Sequence, residues 1–461
     1  MSGAELVAAV GRGDEQAVRR LLEAGTDPDT RTAEGLPVLC RAIAAYEADV
    51  AEALVEAGAD QDRELPDGTS PLVRAVDGGS PTTVTAVLGR EPRLRLPESA
   101  RAALLARARR WYEEGAEAVL RQRTDAPGPV NSTTVMDDAY HRVAELRLGG
   151  QTVRGGQGAI LTDLEWAFRV LTPVDELVAR AVAQGDPDHV DWSAAQWVLY
   201  QRRSKETWSA VAAHHTAPSA TARRFTLDVL WLHLMNPWLS WRHTYEKETA
   251  DLLVEWAARG EPDTAVLTEL LRVLGETEHA GIPTVGLQYT RHPHPRVRAM
   301  TPDLLVLWGD GPAVLANRDA RRALLELAGD EDPDVRARTG GALGAVLDGA
   351  DTGMVDAVVT LLRDPARETR AAVAEAVAAR PVRAPAVADA LYALLGTEDF
   401  RTRLNATYGL LRRDDPRTEK AVARLGTAPP GHEDDHRVSA IRHWQGERDR
   451  SSGVPGEPPA S

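Results

Sequence analysis

The stretch EAGTDPD at residues 23–29 returns 33 residues later as EAGADQD at 56–62. Around it the register is strict. The same shift superposes Leu6, Leu39 and Leu72, then Ala9, Ala42 and Ala75, then Leu21, Leu54 and Val87. Gly25 falls on Gly58 and Gly35 on Gly68. A chain that repeats itself at such a period builds one small unit per repeat, and each unit buries its apolar face only by stacking on the next. Apolar positions within each copy predict two short helices separated by turns.

The turn chemistry agrees. Ser70 is placed to cap a helix that opens at Pro71, whose missing N–H costs nothing in a first turn, and Gly58 ends the helix before it. Asp67, Gly68, Ser70, Pro71 and Leu72, joined by a second signature of Leu54, Val55, Gly58, Ala59 and Asp60, resemble the ankyrin repeat over roughly the first 90 residues. The chain departs from that family where Cys40 and Val73 take the place of its usual histidine and where Pro37 replaces a capping Ser or Thr. The resemblance implies outward-facing protein-binding positions at the turn tips Arg31, Glu34, Arg63 and Asp67 and on the helix faces at Arg41, Tyr46 and Arg74. With three repeats at most, the far face of the third must dock on the next segment of the chain.

A second period governs the C-terminal half. EDPDVRAR at 331–338, RDPARETR at 363–370 and EDFRTRLN at 398–405 each open an Ala/Leu-rich helix, and Arg298, Arg336, Arg370 and Arg403 are spaced by 38, 34 and 33 residues. Proline punctuates them, since Pro333 and Pro365 suit a first helical turn and forbid continuation of the helix before. This pattern resembles HEAT repeats. Pro187, Pro218, Pro262 and Pro295 extend the punctuation backwards, so one solenoid is expected over 186–426. The resemblance implies an internal ladder pairing Arg336, Arg370 and Arg403 with Asp332, Asp364 and Asp399, which would leave those arginines unavailable to a ligand.

Between the arrays, residues 96–185 read as a helical adaptor. Its basic cluster Arg101, Arg107, Arg109 and Arg110 reads as a solvated face, and TDAPGPVNSTT at 124–134 as a linker. A helix is expected near 135–148, with a flexible glycine-rich loop, GGQTVRGGQG, after it at 149–158. That loop lacks the lysine and hydroxyl pair of a phosphate-binding loop. Residues 427–461 are expected to be mostly disordered, apart from a short helix around Ser439 to Gln445.

Composition excludes several classes. No run approaches the roughly 18 apolar residues a spanning helix needs, and MSGAELVAAVGRGDEQ carries no basic leader, so a cytoplasmic location is expected. The lone cysteine, Cys40, forms no internal disulfide. A formal charge of -15 argues against neutralising phosphates. Eleven Trp exceed three Phe, and seven of them lie between Trp192 and Trp256. Trp192, Trp197, Trp208, Trp238 and Trp241 are candidate anchors of a protein groove, with core filling as the other reading. His214, His215, His233 and His243 lack metal-ligand spacing; His432 and His436 would share a helix face near His443, but the surrounding Pro and Gly argue against a helix there, so no metal and no cofactor is expected.

The expectation is therefore all-α: an ankyrin-repeat stack at 1–95, then a HEAT-like alpha-alpha solenoid, serving as a non-catalytic scaffold for a protein or peptide partner, with no nucleic acid and no membrane. The rival readings are a HEAT-like DNA glycosylase using tryptophans and Asp228, a metal-dependent enzyme, or a regulator that sequesters a partner protein.

Overall fold

A computed structural model describes residues 2–235, 245–306, 317–348, 350–380, 382, 384–432 and 434–451. The chain forms two compact units, Met1–His233 and Leu234–Ser461. The boundary falls inside the stretch expected to be one array, rather than near residue 186.

The first unit opens with three helix pairs: α1 (Ser2–Gly11) with α2 (Glu15–Glu23), α3 (Val38–Ala45) with α4 (Ala48–Glu56), and α5 (Pro71–Gly78) with α6 (Pro81–Leu88). Ser70 caps α5 by accepting the Val73 N–H at 3.3 Å, and Ser80 caps α6 through Thr83 at 3.2 Å. Pro37 offers α3 no such bond. The repeated acidic loop links one unit to the next, because the Asp29 carboxylate accepts the Asp60 N–H at 3.0 Å and pairs with Arg63. Cys40 is buried in this stack, and burial pushes its thiol pKa up.

After α7 (Pro92–Arg95), α8 (Glu98–Glu114) and α9 (Ala116–Thr124), the chain turns into an antiparallel sheet ordered β1 (Asn131–Met136), β2 (Arg142–Leu148), β3 (Gln151–Arg154). This corrects two expectations. The segment 135–148 is largely strand, and the linker 124–134 runs from the end of α9 into β1. The reason is a two-residue turn at Gly149 and Gly150, whose φ values of 57° and 77° suit a type I′ hairpin. Side chains alternate across it: Leu146 and Leu148 pack with Trp111, Val119 and Leu120, while Val143 packs on the other face with Ala159, Val190 and Ala194. A helix could not serve both cores at that spacing.

The unit continues through α10 (Gln157–Ala167), α11 (Val174–Val182), α12 (Val190–Gln201), α13 (Lys205–Ala213) and α14 (Ala220–Leu234). One apolar core runs from Leu6 in α1 to Ile160, Leu161 and Leu164 in α10, with Leu104 and Ala108 of α8 between. The third helix pair is thus covered by the adaptor. Arg107 of the basic cluster donates to the buried Asp77 at 2.5 and 2.6 Å, joined by the Trp111 indole at 2.8 Å, and Arg109 donates to the buried Glu165 at 2.6 Å. Arg109 nevertheless keeps 46% of its side chain exposed, and Arg101 and Arg110 also keep the solvated character expected of the cluster. Arg101 donates to the Arg93 carbonyl at 3.4 Å and pairs with no acid among the described residues, and Arg110 lies 3.8 Å from Glu114 on the surface of α8.

In the second unit, α15 (Glu246–Arg259), α16 (Thr264–Leu274), α17 (Ile282–Tyr289), α18 (Pro295–Arg298) and α19 (Thr301–Leu305) precede α20 (Arg318–Leu327) and α21 (Pro333–Ala345). The chain goes on through α22 (Thr352–Leu361), α23 (Arg367–Ala378), α24 (Pro385–Leu394), α25 (Phe400–Leu411), α26 (Thr418–Leu425) and α27 (His436–Ser451). Arginines near the helix starts share one geometry. Each Nη1 donates to the carbonyls six and five residues back: Arg298 to His292 and Pro293, Arg336 to Asp330 and Glu331, Arg370 to Asp364 and Pro365, Arg403 to Thr397 and Glu398. Arg223 of the first unit does the same with Ala217 and Pro218.

The free edge of the guanidinium then meets the next repeat. Arg298 binds Asp330 at 2.8 Å through both nitrogens, and Arg336 binds Asp364 at 2.7 and 2.9 Å. The acid of the ladder is the residue six before the next arginine. At Arg403 that residue is Thr397, so Arg370 meets no carboxylate there. Asp332 and Asp399 are consequently not the expected rungs. Asp332 caps α21, and Asp399 caps α25 while pairing with Arg367 at 2.9 Å.

The C-terminal segment also departs from expectation. Val438 and Ile441 of α27 are buried against Leu404 and Leu425, and Arg437 reaches Asn405. The helix is longer than its sequence suggests and is packed on the last repeat. Among the described residues no helix is long and apolar enough to cross a membrane.

Candidate functional site

The first unit holds a cleft of about 510 Å³ bordered by the second and third helix pairs, the β1–β2 turn, α10 and α12. The turn is held there by Asp137, which accepts the Thr82 N–H at 3.0 Å and the Thr82 hydroxyl at 2.8 Å and pairs with Arg154 at 2.9 Å. Helix α10 is positioned by its own N-terminus. Asp191 of α12 accepts the Ala159 N–H at 2.6 Å, and a Cβ on Gly158 would stand 2.6 Å from the Asp191 carboxylate. The anion position that a glycine-rich loop and helix start can offer is therefore filled by the chain's own carboxylate.

Apolar walls come from Pro81, Ala86, Ala159 and Val190, and aromatic ones from Trp166 and Trp197. Trp197 is 51% exposed, resting at a tilt on Tyr200 with ring centroids 5.5 Å apart. The polar lining is acidic: Asp49, Glu52, Asp138 and Asp163 contribute carboxylates, and among the described residues neither lysine nor arginine lines the cleft. Burial works against the charge of Asp138, yet the His141 ring and the N–H groups of Tyr140 and His141 hold its pKa below the ordinary value. Asp163 differs. Burial, reinforced by the neighbouring Asp191, pushes its pKa up to about 7. Asp191 is likewise pushed up to about 7 by burial, against the pull of Ala159 N–H and Arg180. Chemically, the recess favours a cation with an apolar or flat surface and repels phosphate.

A family model described as ankyrin repeats (3 copies) matches residues 6–95, and one described as HEAT repeats matches residues 282–378. The chain joins ankyrin repeats to HEAT repeats. No curated protein matches it. Among solved structures, YibA of E. coli is similar at 14% identity over 56% of this chain and 93% of its own, with a TM-score of 0.38. An engineered protein is similar at 14% identity over 90% of this chain and 99% of its own, with a TM-score of 0.38. A chain from a complex of Kap95p with RanGDP is similar at 14% identity over 96% of this chain and 55% of its own, with a TM-score of 0.42.

The ankyrin surface positions separate into two groups. Arg31, Glu34 and Arg41 are exposed, although Arg31 also donates to Gly35 O at 3.0 Å. Arg63, Asp67 and Arg74 are engaged within the stack, Arg63 with Asp29 and Arg74 with Asp67 at 2.8 Å. Tyr46 does not face outward as expected. Its hydroxyl donates to the carbonyls of Gly78 at 3.0 Å and Thr152 at 3.2 Å, and the Arg154 guanidinium lies 4.2 Å from its ring centre, so it fastens β3 to the ankyrin repeats. The tryptophans divide as well. Trp192 is 2% exposed and meets Phe225 edge-on at 5.0 Å, a core contact. Trp208 is half-buried, Trp197 borders the cleft, and Trp238 and Trp241 lie outside the described residues. Asp228, the carboxylate of the glycosylase reading, is bonded by Arg224 at 3.1 Å. Among the described residues no group of His, Cys, Asp and Glu has the arrangement of a metal site.

The acids of the cleft escape a reading of the sequence because they come from three separate elements. Asp49 with Glu52, and Asp163 with Trp166, each three apart on one helix, are the legible local pairs.

Proposed function

We propose that this protein is a non-catalytic interaction scaffold that recognises a protein or peptide partner, with the cleft of the first unit as its principal contact. The observation that carries this reading is the half-exposed Trp197 beside an acid-lined recess, in a unit where other charged groups, Arg107 with Asp77 and Arg180 with Glu165, are paired internally. Aromatic side chains at the edge of a preformed recess are favoured anchors of protein contacts. Stacked repeats also present side chains from several units on one surface, which suits an extended partner better than a small substrate.

The test is site-specific photo-crosslinking of the full chain in its host, with the reactive group placed in turn at Thr85 in the cleft, at Arg31 on a turn tip and at Trp208. Discrete protein adducts from at least one site are expected. Absence of protein adducts from every site, with the variants folded, would overturn the scaffold reading.

A further inference from the structure

We propose that the cleft binds a basic segment of a partner protein, taking an arginine or lysine side chain against Trp197 with Asp163 as its counter-ion. The inference rests on the scaffold reading and adds the chemistry of the ligand.

Three observations point the same way. Among the described residues four carboxylates line the recess, and no lysine or arginine does. Asp138 is satisfied by its own turn, but Asp163 accepts no hydrogen bond from any described residue, so its carboxyl oxygens are left for something that enters, and an incoming cation draws it into the ionised form. Asp163 is half-buried, and a carboxylate with restricted access to water and no partner is costly, a cost that an incoming cation relieves. Finally, Trp197 presents an open ring at the same recess, and a guanidinium or ammonium group over an indole face gains a cation–π attraction. Asp49 and Glu52, exposed on the outer turns of α4, extend the acidic lining beyond the depth one side chain fills. A second basic residue in the same segment would match them, whereas a free amine would leave them unmatched. Nucleic acid and anionic lipid are disfavoured by the same four carboxylates.

The experiment screens the full chain against a nine-residue peptide library with one fixed central residue and random flanks. The best arginine- or lysine-centred peptide is then titrated by fluorescence anisotropy beside its citrulline or norleucine counterpart. Selection of arginine or lysine is expected, with affinity falling about tenfold or more for the neutral counterpart. Asp163→Asn and Trp197→Ala should each weaken the basic peptide by about tenfold. Glu23→Gln, an exposed acid at the end of α2 that does not line the recess and removes the same unit of charge, should change affinity less than about twofold, as expected for a screened charge outside it. Thr85→Arg guards against misfolded variants, because position 85 is exposed on α6 and a built-in cation there should block the peptide while leaving the melting temperature unchanged.

Selection of acidic or apolar residues, equal binding of the neutral counterpart, or undiminished binding by Asp163→Asn, Trp197→Ala and Thr85→Arg would each overturn the proposal. If Thr85→Arg still crosslinks the same protein from other positions, only the basic-ligand inference fails. If no protein crosslinks at all, the scaffold reading itself fails.

Discussion

Arg336 shows how one side chain serves two repeats. It closes its own loop through the carbonyls of Asp330 and Glu331 and holds the buried Asp364 of the next repeat in a two-pronged pair. Arg336→Ala strands that carboxylate, and a loss of about 2–3 kcal/mol is expected in chemical denaturation of the full chain. Arg370→Ala should cost less, since Thr397 stands where its acid would be. The pair also sets an acid limit. Hydrogen bonds from Arg336 hold Asp364 below its ordinary 3.8, so this stability is present above that value and is lost as pH falls through the lower folded-state pKa. Asp163 has the opposite sign. With its pKa raised to about 7 from an ordinary 3.8, the folded state retains a proton that the unfolded chain has released, and stability falls as pH rises between those values. Asp191 acts on it from behind, and Asp49, Glu52, Asp138 and His141 are the titratable groups that line the same cleft. Melting curves of Asp163→Asn should show a gain on the order of 1–2 kcal/mol at about pH 8 that shrinks toward about pH 4, and a pH-independent difference would contradict this account.

At the scale of elements, α27 and the sheet carry the main corrections. The last helix covers Leu404 and Leu425 with Val438 and Ile441, so it caps the final repeat instead of leaving an apolar face open. Truncation after Gly431 is expected to lower stability by about 2–4 kcal/mol, seen as a drop of several degrees in the thermal midpoint by circular dichroism. An unchanged midpoint would restore the reading of a loose tail. The hairpin is legible in principle, as Gly149–Gly150 sits between Leu148 and Gln151 with apolar alternation on both sides. It reads as helix and loop because Leu146 and Leu148 face one core and Val143 another, which blurs any single apolar stripe.

For the whole molecule, the charge of -15 sets the terms of encounter with polyanions. Electrophoretic mobility of labelled duplex and single-stranded DNA at physiological salt should be unchanged by the full chain. Arg107 and Arg109 of the basic cluster on α8 are paired with Asp77 and Glu165. Salt-sensitive submicromolar binding that disappears on mutating Arg110 would reverse this expectation.

Periodicity carried the repeats: the 33-residue shift and the spacing of Arg298, Arg336 and Arg370 are local patterns, because each unit makes its own turn and buries its own stripe. The family matches to ankyrin repeats at 6–95 and HEAT repeats at 282–378 fall on those patterns. Periodicity could not carry anything assembled from distant residues. Tyr46 points inward because Thr152 arrives 106 residues later, and Asp364 rather than Asp332 completes the rung of Arg336 because the next repeat, not the same turn, presents the acid. The cleft is the extreme case. Its acids stand on α4, the β1–β2 turn and α10, and only folding brings Asp49, Asp138 and Asp163 to one recess with Trp166 and Trp197, where burial and the neighbouring Asp191 of α12 give Asp163 a property no single segment contains.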